Sequence, residues 1–116
     1  MTGVRLPDYL EHIHKAAADI RDYVDGLDKA AFLEDRRTQQ AVILNLLIIG
    51  EAAGRIMDRY PAYAADHPDV PWKAMRGMRN RLAHGYFDIN LDIVWETALS
   101  AIPALIDRLP SGASPH

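Results

Sequence analysis

Apolar residues recur along the first quarter of the chain at three- and four-residue steps: Leu6, Leu10, Ile13, Ala17, Ile20, Val24 and Leu27. That spacing is one stripe of an α-helix, and Glu11, Lys15, Asp19 and Asp22 fall on the other side. The pattern predicts a helix from about Pro7 to Val24, with Pro7 in the first turn and Gly26 as a left-handed stop. Asp28 to Glu34 has room for one short helical turn.

A second long helix is predicted from about Arg36 to Arg59. Ala41, Val42, Ile43, Leu44, Leu46, Leu47, Ile48 and Ile49 make its first half apolar nearly all round. A helix apolar on every face must be covered on every face, which points to a partner subunit beside the bundle's own neighbours. After Gly50 the pattern turns mixed: Glu51, Arg55, Asp58 and Arg59 face water, and Ala52, Ala53, Ile56 and Met57 pack. Gly50 and Gly54 each cost about 1 kcal/mol inside a helix relative to Ala. Their four-residue spacing puts them on one side, where another backbone can approach closely.

Tyr60 to Pro71 holds three prolines and no sustained period, and reads as a connector. A third helix is expected from Pro71 or Trp72 to about Ala83, capped by Asp69 and stopping before Gly85. The last helix covers roughly Leu91 to Leu109, with Val94, Trp95, Ala98, Ile102, Leu105, Ile106 and Leu109 inward and a bend at Pro103. Trp72 and Trp95 are expected as core anchors. No strand pattern or internal repeat occurs. The expectation is an all-α, up-and-down bundle of four main helices with one extra short helix. It forms a single domain over residues 1–109, and residues 110–116 read as an unstructured tail.

Composition narrows the chemistry. The chain has 116 residues, one domain's worth, and its 49% hydrophobic content rules out wholesale disorder. There is no cysteine, which excludes a disulfide scaffold, a thiolate zinc site and a cysteine nucleophile, and fits a cytoplasmic protein. The N-terminus has no apolar region of a signal peptide, and the apolar run Ala41 to Gly50, broken by Asn45, is short of the ~20 residues of a membrane span. The overall charge of -3 argues against a globally basic nucleic-acid binder. Val70 to Phe87, however, carries Lys73, Arg76, Arg79 and Arg81 and no acidic residue. A positive island on an acidic chain suits an anion, phosphate above all. Cations near a helix C-terminus also complement its dipole, which explains one or two of the four.

Within this window Arg76, Asn80 and His84 follow at four-residue steps on one helical face. Arg79 lies about 140° round from His84 on an ideal helix. Unwinding before Gly85 would let arginine, amide, imidazole and the phenol of Tyr86 converge.

The segment Arg79-Asn80-Arg81-Leu82-Ala83-His84-Gly85-Tyr86 resembles the Arg-X4-His-X-Tyr motif of HEPN domains, most closely the HepT-like toxin branch. Ile49-Gly50-Glu51-Ala52-Ala53 and Pro71-Trp72 are similar to that branch as well. The resemblance implies a homodimeric, metal-independent RNase toxin in which the 2′-hydroxyl attacks its own phosphodiester. It implies Arg79, His84 and Asn80 as the catalytic set, with Arg79 holding the phosphate, His84 moving a proton and Asn80 orienting. Lys73, Arg76 and Arg81 would bind flanking phosphates. The partner implied is a minimal nucleotidyltransferase antitoxin that transfers AMP from ATP onto Tyr86.

Other residues carry less. His12 and His14, two apart on a helix, point in different directions, so no metal site and no cofactor is expected. Glu51 can pair with Arg55 one turn on, or reach a basic group across an interface. Two alternatives to the RNase stay open: a non-catalytic RNA- or nucleotide-binding subunit, and a structural dimerisation module.

Overall fold

A computed structural model describes residues 5–110; the expected tail beyond Pro110 and the N-terminal four residues lie outside the described residues. The helices are α1 (Leu6–Val24), α2 (Lys29–Leu33), α3 (Arg36–Arg59), α4 (Pro61–Asp66) and α5 (Trp72–His84). A 3-10 turn follows at Tyr86–Asp88, and then α6 (Leu91–Glu96), a π-helical turn (Thr97–Ala101) and α7 (Ile102–Arg108), which run on without a break. Among the described residues there is no strand.

The centre of the fold is α3, which packs against α1 on one flank and α5 on another. From α1 it receives Ile13, Ala17 and Ile20, all fully buried, with Tyr9 and Ala16 widening the stripe beyond the positions read from periodicity. The C-terminal helices close the other side of α1 through Ile102 and Leu105. Trp95 lies against Phe32 of α2, ring centroids 5.1 Å apart, and Trp72 is likewise buried. Both tryptophans are core anchors.

By length and apolar content alone α3 would pass for a membrane-crossing segment, but half of its most apolar stretch is buried inside the fold. Val42, Ile43, Leu46 and Ile49 point into the core, and Asn45 is buried with its amide donating to the Ala41 carbonyl at 2.9 Å. Leu44 and Ile48 stay exposed, at 57% and 38%.

Two local expectations are corrected. The proline-rich connector contains a helix, α4, because Pro61 occupies its first turn, where a missing N–H costs nothing. Asp69 does not cap α5: Pro71 holds the cap position with no side-chain bond, and the Trp72 indole N–H anchors the entry by donating to the His67 carbonyl at 3.1 Å. Pro103 lies inside a continuous helical run, as expected. It follows the π-helical turn, in which Ile102 N–H bonds back to the Thr97 carbonyl, and the widened turn accommodates the missing donor. Gly26 is left-handed as expected, with φ 78°.

The start of α3 is fixed by Asp35, whose carboxylate accepts from Thr38 N–H at 3.0 Å and Thr38 Oγ1 at 2.7 Å. The side-chain hydrogen bond from Thr38, then its backbone one, hold the Asp35 carboxyl below its ordinary range. A lowered folded-state pKa means the capping contribution is present above the ordinary carboxylate value and is lost as pH falls through the folded one. Asp35→Ala should therefore lower Tm at neutral pH, and the difference from wild type should shrink in acid. Paired melts by circular dichroism at the two pH values check this.

Candidate functional site

Gly50 and Gly54, one turn apart, form the face of α3 on which α5 rests. A Cβ on Gly50 would overlap the Cβ of Arg79 and stand 2.6 Å from the Met75 carbonyl oxygen. A Cβ on Gly54 would stand 3.3 Å from Arg76 Nε. The backbone that the glycine spacing invites is thus α5 of the same chain. The two arginines, three residues apart, lay their stems along this face.

Charge partners come from α3 as well. Arg79 Nε lies 3.3 Å from Glu51 Oε1, and Arg79 Nη1 donates to Asn80 Oδ1 at 3.1 Å. The other Glu51 oxygen accepts from Arg55, at 3.0 and 3.1 Å. Arg76 Nη2 donates to Asp58 Oδ1 at 2.7 Å and to the Gly54 carbonyl at 3.0 Å. The window without acids is therefore not uncompensated: folding brings Glu51 and Asp58 against two of its four cations. These pairs are solvent-accessible, Asp58 being 71% exposed, and such pairs contribute about 1 kcal/mol or less. A phosphate can take their place.

Arg79 borders two depressions. One is a groove of 560 Å³, with Tyr9 and His12 of α1 on one wall, Arg79 and Ala83 on the other, and Leu47, Ile48 and Ala52 between them. The other is a polar recess of 160 Å³ bounded by Gly50, Glu51, Gly54, Arg55, Asp58, Arg76, Arg79 and Asn80. A guanidinium held on two sides at the rim of an open groove is a pre-oriented fork for an anion.

The remaining expected residues lie elsewhere. Lys73 borders a separate hollow beside Trp72 and Pro61. Arg81 points away from Arg79, into the space between α5 and the C-terminal helices, with Met78 Sδ at 4.0 Å. His84 ends α5, exposed and without a hydrogen bond among the described residues. Tyr86 is 55% exposed on the following 3-10 turn. The convergence of Arg79, His84 and Tyr86 within one chain is corrected. The helix does not unwind before Gly85, since Gly85 N–H still bonds the Arg81 carbonyl at 2.9 Å, and Arg79 and His84 keep their separation of about 140°. Gly85 has φ -111°, so no left-handed turn swings the chain back. One chain gathers Arg76, Arg79 and Asn80.

Sequence reasoning did not find Tyr9, His12 or Asp58 as site residues. Tyr9 and His12 share a face at three-residue spacing, but only the packing of α1 on α3 shows that this face borders Arg79.

The model of ribonuclease HepT-like proteins matches residues 13–111, which include the whole Arg79–Tyr86 segment. The chain belongs to the HepT-like family. A protein of Thermococcus cleftensis named a probable ribonuclease HepT is 39% identical over 98 residues, covering 84% of this chain and 86% of that protein. A provisionally named RNase of Methanocaldococcus jannaschii is 36% identical over 95 residues, 82% of this chain and 76% of its own length. One of Caldanaerobacter subterraneus subsp. tengcongensis is 38% identical over 97 residues, 84% of each chain. No solved structure matches this HepT-like chain.

Proposed function

We propose that this HepT-like protein is a metal-independent endoribonuclease toxin of the cytoplasm, acting as a homodimer and neutralised by a nucleotidyltransferase antitoxin. The observation that carries the reading is Arg79. Its guanidinium is tethered through Nε by Glu51 and through Nη1 by Asn80 at the rim of an open groove, in a chain of the ribonuclease HepT-like family.

In this reading the scissile phosphate displaces Glu51 from Arg79, and the guanidinium stabilises charge growing on the phosphoryl oxygens. The 2′-hydroxyl attacks phosphorus, the bond to the 5′-oxygen breaks, and a 2′,3′-cyclic phosphate forms. His84 moves the proton, from the 2′-hydroxyl or to the leaving oxygen. Arg76 contacts the neighbouring phosphate from the polar recess, and Lys73 and Arg81 serve more distant ones. The separation of Arg79 from His84 within one chain favours two motifs facing a shared cleft. Leu44 and Ile48, exposed on α3, with half-buried Leu47 beside them, give a second copy an apolar surface to cover.

Control runs through Tyr86. The antitoxin transfers AMP from ATP to its hydroxyl, releasing pyrophosphate. The hydroxyl's carrier is half-exposed, and Arg81 lines a hollow with Gly85 and Asp88 from which it can pair with the new phosphate. Bulk and charge then stand where RNA would lie.

Purified protein incubated with single-stranded RNA in excess chelator should cut it and leave cyclic phosphate ends. His84→Ala and Arg79→Ala should each lose on the order of 100-fold or more in rate while keeping wild-type helical content. Cleavage by either variant at the wild-type rate contradicts the assignment, and RNA binding without cleavage by wild type favours the non-catalytic alternative.

Incubation with the cognate nucleotidyltransferase and ATP should add one or more AMP units to the intact mass of wild type and none to Tyr86→Phe. A gain that persists in Tyr86→Phe places the modification on another residue.

A further inference from the structure

Phe87 is 97% exposed, the most exposed large hydrophobic side chain of the described residues. Its ring meets that of Tyr86 edge-on, with centroids 5.9 Å apart and planes at 80°, so the neighbouring ring leaves a face of Phe87 open to water. Exposure on this scale gives the fold nothing, because the apolar area of the ring is not removed from water. The position is also specific. It directly follows the His84-Gly85-Tyr86 segment, at the end of the window that carries four cations and no acid, and Asp88 is the first carboxylate after it.

The other large aromatics are accounted for. Trp72, Trp95, Phe32 and Tyr9 are buried, Tyr60 packs half-buried against the core, and Tyr63 stacks on His67 at 4.2 Å. Tyr23, 43% exposed, sits between Asp22 and Asp25, a repulsive setting for a polyanion. Tyr86 and Phe87 alone combine open rings with a cation-bearing stretch of chain. An accessible π-face at the end of a cationic stretch suits single-stranded nucleic acid, since every base has a face to stack whatever its edge.

Resting on the RNase reading, we propose that Phe87, braced by Tyr86, is a stacking platform for one unpaired base of the RNA whose scissile phosphate reaches Arg79. The subsite takes a nucleobase by its face, so it selects single-stranded over paired RNA and tolerates any base. It is a binding contact and takes no part in bond making or breaking. A platform of this kind, directly after the tyrosine proposed for modification, also explains how a nucleotide attached to Tyr86 excludes RNA: the attached base can lie on Phe87 itself.

The test uses the full chain and a single-stranded oligoribonucleotide made uncleavable by 2′-O-methylation. Phe87→Ala should weaken binding on the order of tenfold, Phe87→Trp should bind as wild type does, and Tm should not move for either. With cleavable RNA, Phe87→Ala should raise KM by a similar factor and leave kcat near wild type. Because both native tryptophans are buried, emission from Phe87→Trp should be quenched when the oligonucleotide binds. Wild-type affinity in Phe87→Ala, with wild type binding and cutting RNA, overturns the platform and leaves the RNase reading intact. A change in sedimentation from dimer to monomer in Phe87→Ala, without a loss of binding in Phe87→Trp, overturns it in favour of a protein contact. Wild-type protein that neither binds nor cuts RNA defeats the RNase reading, and the platform with it.

Discussion

The approach of α5 to α3 at Gly50 is the contact on which the site depends. No other residue type fits there, because a single added carbon would collide with both the Arg79 stem and the Met75 carbonyl. Glycine in a helix interior costs about 1 kcal/mol relative to alanine, and the chain carries that cost at both Gly50 and Gly54. In return α5 lies flat on the central helix. Arg79 is held at its stem by α3 backbone, at Nε by Glu51 and at Nη1 by Asn80, so the guanidinium's direction is set before any ligand arrives. Pre-orientation of that kind is what a charge-stabilising group needs, since reorganisation at the moment of reaction would subtract from its effect.

Electrostatics follow from the same packing. A stretch that reads as four unopposed cations becomes a stretch in which two are tethered by α3 carboxylates. The pairs keep the arginines in place without desolvating them, and their modest strength lets a phosphate exchange for a carboxylate. Lys73 and Arg81 stay outside this network on other parts of α5, and His84 extends past its reach. Arg79 and His84 thus lie on different faces of one helix, with Asn80 joined to Arg79.

Much of this was legible beforehand. The long helices announce themselves through three- and four-residue apolar steps, and Gly50-X3-Gly54 announces a close approach, though the sequence alone does not name α5 as the visitor. The resemblance read from Arg79 to Tyr86 agrees with the family match over residues 13–111. What escaped was set by packing or by local detail. Asp58 is eighteen residues from Arg76 and becomes its partner only across the α3–α5 contact. His12 gains interest only because α1 walls the same groove as Arg79. The helix at Pro61 is too short for a hydrophobic period to reveal. Pro103 follows a π-helical turn, which composition does not reveal. Phe87 looks like any core aromatic until its exposure is known.

The close approach at Gly50 can be tested by sign, because two effects oppose each other there. Helix propensity alone predicts that Gly50→Ala stabilises the protein by about 1 kcal/mol. A backbone contact with no room for a methyl group predicts destabilisation instead, about 1–3 kcal/mol as for other overpacked sites. Gly54→Ala is the internal control, since its added carbon meets the flexible end of Arg76, which can shift. Urea unfolding of the three proteins at neutral pH is the decisive measurement. The tight contact at Gly50 should give a clear loss of stability for Gly50→Ala and none for Gly54→Ala. A Gly50→Ala protein as stable as wild type, or more so, would contradict it.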